Sequence, residues 1–309
     1  MQVLDRRKAM AIPPLFRLAF RPFFLGACLL AVLELSFPLA VAGVMGWTLW
    51  KVRQTRNYPI VLVLGLLAVA DALALYGLLT HDEGVERQAV LTGLWLVAAM
   101  MGLIGGRVIP FFTQRGLGRV DAVKPWPWLD RVLLGGSILV ALLYACGLAV
   151  FPSRWSGVLF AVLGLGHLLR LARWHDLGLW RVPLLWSLHL AYAWLAVACL
   201  GMALWHFGAP LNQSLAVHAL TIGAMAGLIL AMVARVSLGH TGRPLQPPGG
   251  MTLAFALLNL AAVCRVALVL IWPVAALWLA GLCWSVGLGL YLWRYGPMLW
   301  RARVDGHPG

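Results

Sequence analysis

The feature that most constrains this chain is a succession of apolar runs, each long enough to cross a lipid bilayer as a helix. A hydrocarbon core about 30 Å thick takes roughly 20 helical residues. Runs of that order occur at 23–50, 58–80, 86–112, 129–151, 155–174, 183–206, 213–238, 251–272 and 274–295. Backbone in lipid must satisfy its own hydrogen bonds, so runs of this length read as helices. The expected fold is therefore all-α, a polytopic transmembrane bundle of about nine spans, with 1–309 forming a single integral membrane domain. Residues 1–22 read as a polar, basic N-terminus without a signal-peptide cleavage site, 23–295 as the bundle and 296–309 as a basic tail. The breaks carry turn chemistry, as in Asn57-Tyr58-Pro59, Pro125-Trp126-Pro127, Phe151-Pro152-Ser153 and Pro247-Pro248-Gly249-Gly250.

Charge orients the runs. Only 11% of the residues are charged, yet the formal net charge is +14. The cations sit in short links, too short for a nucleic-acid-binding module, so the bilayer is the expected partner. They collect at Lys51/Arg53/Arg56, Arg115/Arg119/Lys124/Arg131, Arg170/Arg173/Arg181, Arg243 and Arg294/Arg301/Arg303, which are alternate links. The positive-inside rule puts these in the cytoplasm, C-terminus included. Nine crossings would then leave Arg6, Arg7, Lys8, Arg17 and Arg21 outside, against the rule. Either the N-terminus is an exception, or 23–50 dips and returns with a bend at Pro38. The eight spans from 58 to 295 rest on length and charge together. Cys28, Cys146, Cys199, Cys264 and Cys283 all fall inside apolar runs with no CxxC pair, and read as packing residues.

Ionisable groups in hydrocarbon cost about 2.5–3.5 kcal/mol on insertion scales, so each needs a partner or a role. Glu34, Asp71, Arg107, His189, His206, His218, Arg235 and Arg265 lie in or near the runs. They sort into an outer layer, His206 and His218, and an inner one, His167, His189 and His240 with Arg107 and Arg235. Neutral imidazole ligates haem iron and copper, and arginine pairs with carboxylates such as haem propionates. The functional reading is a metal or haem centre with His189 and His218 as ligands, His206 as runner-up, and Arg107, Arg235 and His240 around the cofactor. The competing reading is structural histidines bonded at helix contacts. Glu34 and Asp71 read either as proton-relay groups or as partners of a buried arginine. No HExxH, GxSxG, P-loop or dinucleotide fingerprint occurs, so hydrolytic chemistry has no support. Gly223-x-x-x-Gly227 predicts a close helix approach. Arg107-Val108, Thr113 and Arg115 recur 128 residues later as Arg235-Val236, Thr241 and Arg243, the pattern of a parallel duplication or of chance.

Five strings taken in order are more specific: Phe20-Arg21-Pro22-Phe23-Phe24, Arg107 to Thr113, Leu188 to Trp194, His218 to Met225, and Arg235 to Pro244. Together they resemble the NnrS family over nearly the whole chain. The resemblance implies a bacterial inner-membrane protein containing haem and copper, linked to nitric oxide metabolism and nitrosative stress resistance. It implies a process more than a reaction, and leaves open whether the chain is an enzyme. Family members usually have about twelve spans and a His-Ala-His-Glu-Met motif soon after the first, and this chain lacks that motif. Phe20–Phe24 run almost directly into what looks like the family's fourth span, as if three helices had been lost. An odd loss would flip the N-terminus and explain its charge. If the missing histidines carry copper, copper is doubtful here, while a haem site on the surviving residues stands. The alternatives are a scaffold or assembly factor for respiratory reductases and, more weakly, a transporter.

Overall fold

The computed structural model describes residues 36–120 and 123–306. Phe20–Phe24, Cys28, Glu34 and the basic N-terminus lie outside the described residues, as does the first half of the run 23–50. Among the described residues there are helices and no strands, and eight helices are long and apolar enough to cross a membrane. This is a multi-pass membrane protein. The described helices are α1 (Ser36–Lys51), α2 (Tyr58–Thr80), α3 (Glu83–Gly116), α4 (Pro127–Ala145), α5 (Arg154–Trp174), α6 (Pro183–His206), α7 (Gln213–His240), α8 (Met251–Val266) and α9 (Pro273–Leu299). Short 3-10 turns lie at Thr55–Asn57, Leu177–Arg181 and Leu268–Leu270.

Among the described residues the contacts form two compact units, one up to residue 93 and one from residue 94 on. In the first, α1 packs on α2. Helix α2 closes on His81, whose positive φ of 56° lets Asp82 N–H return to the Gly77 carbonyl at 2.9 Å. Asp82 then starts α3, its Oδ1 accepting from Gly84 N–H (3.0 Å) and Val85 N–H (3.1 Å). A side chain at Gly77 would lie 2.7 Å from the Glu86 nitrogen, so glycine is what lets these two helices meet. Asp71 is half-buried on α2.

In the second unit α6 is the hub, packing on α5, α7 and α8, while α8 pairs with α9. Its inward residues, among them Leu185, Leu188, Ala191, Tyr192 and Leu195, are fully buried. Helix association in lipid depends on close packing rather than on apolar burial alone, and glycines supply it. A Cβ on Gly227 would meet Ala191 at 3.1 Å, and one on Gly201 would meet Ala216 at 3.1 Å. Gly223 approaches closer still, to the Trp194 ring. There α7 widens into π-helix over Ala219–Ala226, directly after His218. Helix α4 ends six residues before the apolar run does. Gly147 takes φ 75°, with Gly147 N–H on Tyr144 O (2.9 Å) and Leu148 N–H on Leu143 O (2.8 Å), a glycine stop that hydropathy does not register.

Candidate functional site

Four histidines lie in the bundle of the second unit, and their hydrogen bonds decide which ring nitrogen each can offer. A carbonyl oxygen only accepts. His189 Nδ1 therefore carries a proton, donated to Leu185 O one turn back at 3.0 Å. In that tautomer Nε2 keeps its lone pair, buried and without a hydrogen-bond partner, while a second carbonyl, that of Trp174, lies near the ring. His218 is similar: Nδ1 lies 2.6 Å from Ser214 O, and the half-buried ring offers Nε2. His206 is the reverse, because its Nδ1 accepts the Ser153 backbone N–H at 3.1 Å, so the proton sits on Nε2. Its ring is stacked on Phe160, 5.4 Å between centroids. In this arrangement His206 binds no metal through Nε2.

Helix pairing then separates the two candidates. The contacts Gly227–Ala191 and Gly201–Ala216 fix the register of α6 against α7. His189 lies level with residue 229 and His218 with residue 199, about 15 Å apart along the axis at 1.5 Å per residue. One iron cannot take both. What the fold does is set His189 and Arg235 on neighbouring carbonyls of α6. Arg235 Nη2 reaches Leu184 O (3.4 Å), the carbonyl next to the one His189 uses. Its guanidinium covers the Phe112 ring at 4.1 Å, and its Nε is buried without a partner. Arg235 and Phe112 belong to the two related segments, so those segments meet. Their threonines are also placed alike, Thr113 Oγ1 on Ile109 O (2.9 Å) and Thr241 Oγ1 on Ser237 O (2.7 Å). Arg107 is half-buried on α3. His240 is exposed, its backbone carbonyl accepting from Arg303 Nη1 at 3.2 Å.

Apart from His167, placed in the inner layer by its depth, the residues with the most buried polar contacts were not among the candidates. Arg170, grouped by sequence with the loop cations, is only 5% exposed and points into the bundle. Its Nη1 donates to Gly102 O (2.9 Å) and to the Tyr192 hydroxyl (3.0 Å). Its Nε and Nη2 both donate to Asp130 Oδ1. Since Arg170 only donates, the Tyr192 proton turns to His167 Nδ1, 2.8 Å away. Tyr192 and His167 are fully enclosed, and the neighbouring helix makes room with glycine. A Cβ on Gly106 would lie 2.7 Å from Arg170 Nη2, and one on Gly105 would lie 3.1 Å from the Tyr192 ring. The signal available in sequence was His167-x-x-Arg170, a spacing that puts both on one face of α5.

Trp174, packed on Tyr192 at 5.1 Å, separates this network from a cleft of about 240 Å³ lined by Thr113, Gln114, Arg119, His175 and Asp176. Arg119 grips Asp176 through two hydrogen bonds of 2.9 and 3.0 Å. That grip, with Gly178 N–H, holds the Asp176 carboxyl below its ordinary range. The cleft is smaller than sites for drug-sized ligands and does not by itself house a macrocycle. Among the described residues no three His, Cys, Asp or Glu side chains converge as a metal cage.

The family model described as NnrS protein matches residues 27–303. The chain belongs to the NnrS family. That match embraces α1 to α9 and four of the five strings named above. No curated protein and no solved structure matches the chain. Membership in the NnrS family supports a role in the nitric oxide response at family level, and the residues above are where that role is to be sought.

Proposed function

We propose that this NnrS-family protein binds haem through His189 in the bacterial inner membrane and serves nitric oxide metabolism under nitrosative stress. The observation that carries the reading is the His189 ring. A metal-ligating histidine characteristically donates its second N–H to a carbonyl, which fixes the tautomer and leaves the other nitrogen for the metal. His189 has that arrangement with its Nε2 buried and unused. Arg235 would hold a propionate, with its Nε unpartnered and its Nη2 on Leu184 O, the carbonyl before the one that His189 uses. Arg107 would be the second basic partner. Bound haem would supply an iron able to take small gases such as nitric oxide. The chain's own part is to orient His189 through Leu185 O and to exclude water with the α6 core. His218 is too far along α7 to share that iron and would serve a separate ligand.

The test is growth under a nitric oxide donor. A strain lacking this protein should be sensitised, and rescued by wild type but not by His189→Ala. Full rescue by His189→Ala would instead support a scaffold or assembly factor for respiratory reductases, the reading that absence of the His-Ala-His-Glu-Met segment favours. Orientation is testable separately. A cytoplasmic C-terminus predicts that a reporter enzyme active only in the periplasm is silent when fused after Gly309, and active when inserted in the link between α6 and α7. The opposite pattern would invert the topology.

A further inference from the structure

We infer that the basic end of α4 and α5 binds an anionic phospholipid, its phosphodiester on Arg173, Lys124 and Arg131 and an acyl chain along α4. Pro125 and Pro127 bracket Trp126, whose ring stacks on Trp128 with centroids 5.9 Å apart. The Arg173 guanidinium lies 3.6 Å over the Trp126 ring, and its Nη2 donates to the Lys124 carbonyl at 2.8 Å. Stacking and that one bond hold the guanidinium of half-buried Arg173 beside the exposed Trp126. Arg131 is steadied alongside by Nε to Pro127 O at 3.1 Å, and both it and Lys124 are exposed. Among the described residues the carboxylate beside them is Asp130, which already takes the Arg170 guanidinium. Three cations, Lys124 and Arg131 exposed and Arg173 half-buried, therefore gather around two exposed indoles, the pairing of charge and amphipathic ring that suits a headgroup region.

A second observation selects a lipid over a soluble phosphate. Trp128, Val132, Gly135, Leu139 and Leu142 are all exposed, and their spacing of 4, 3, 4 and 3 residues sets them on one face of α4. This apolar lane runs down from the cationic cluster for about 21 Å at 1.5 Å per residue. Midway along it Gly135 leaves open space where a side chain would stand, since nothing lies within 4 Å of its Cβ position. Headgroup cluster and acyl lane thus share one helix face.

The full-length protein in detergent is titrated with phosphatidylglycerol and with phosphatidylcholine of identical chains, and bound lipid is counted by native mass spectrometry. Phosphatidylglycerol should be retained preferentially, and Arg131→Gln or Arg173→Gln should each reduce the preference by about fivefold. Arg131 is exposed, so its variant reads the site without a folding effect. Arg154→Gln, at the far end of α5, should leave the preference intact. Equal retention of the two lipids by wild type, or an equal loss in Arg154→Gln, would overturn the site. Displacement by free glycerol 3-phosphate would overturn its assignment to a lipid.

Discussion

Replacing Arg170 with methionine is expected to lower the apparent melting temperature of the detergent-purified protein by about 6–12 °C. Removing one partner of a buried pair costs about 3–5 kcal/mol, and the Asp130 side chain is 45% exposed, which favours the lower figure. About 3 kcal/mol corresponds to that range of temperature for a domain near this size. The loss is not confined to the ion pair. Gly102 O and the Tyr192 hydroxyl lose a buried donor, and Tyr192 no longer has a reason to turn its proton toward His167. Arg170→Lys should recover little, because a point-like ammonium cannot meet Asp130, Gly102 and Tyr192 in three directions. Asp130→Asn should cost less than Arg170→Met. Thermal unfolding followed by size-exclusion chromatography checks the series. A shift under about 2 °C for Arg170→Met would show that the network adds little to the fold.

Gly223→Ala is expected to be the most damaging single methyl in α7. Its Cβ would sit 2.3 Å from Trp194 Cγ and 2.5 Å from Cδ2. The indole has little freedom to retreat, since its Nε1 donates to Asn259 Oδ1 at 3.1 Å and Asn259 Nδ2 in turn holds Phe255 O at 2.9 Å. Overpacking of this kind costs about 1–3 kcal/mol, and a rigid neighbour belongs at the upper end. Gly227→Ala, 3.1 Å from the Ala191 methyl, should be milder. Gly239→Ala meets nothing within 4 Å and should be neutral or slightly stabilising, as alanine is the better helix former. Melting temperatures of the three variants should rank in that order. Equal effects would mean that contact with Trp194 does not govern this part of the bundle.

Hydropathy located the eight membrane-capable helices because lipid leaves backbone no alternative to helix. It placed their ends less well. α3 starts at Glu83 rather than 86 because the Asp82 side chain caps it, and α4 stops at Ala145 rather than 151 because Gly147 takes a left-handed turn. Both are local backbone effects inside apolar or mixed sequence. Within the candidate site, the positions of His189 and Arg235 were readable from depth. That His189 and His218 offer Nε2 while His206 does not was not, because it depends on whether a carbonyl or an N–H faces Nδ1. Arg170 was missed for a different reason. It stands one turn from the end of α5, where an arginine reads as a loop cation, and only packing against Gly102 and Gly106 shows that it turns inward.

The central claim is that His189 presents a bare Nε2 to haem while His206 does not. It is tested by the visible spectrum of protein purified from cells supplied with haem precursor, recorded oxidised and after dithionite. The account predicts a Soret band in wild type that His206→Ala retains and His189→Ala loses. A wild type without a Soret band, or a band unchanged in His189→Ala, would contradict it.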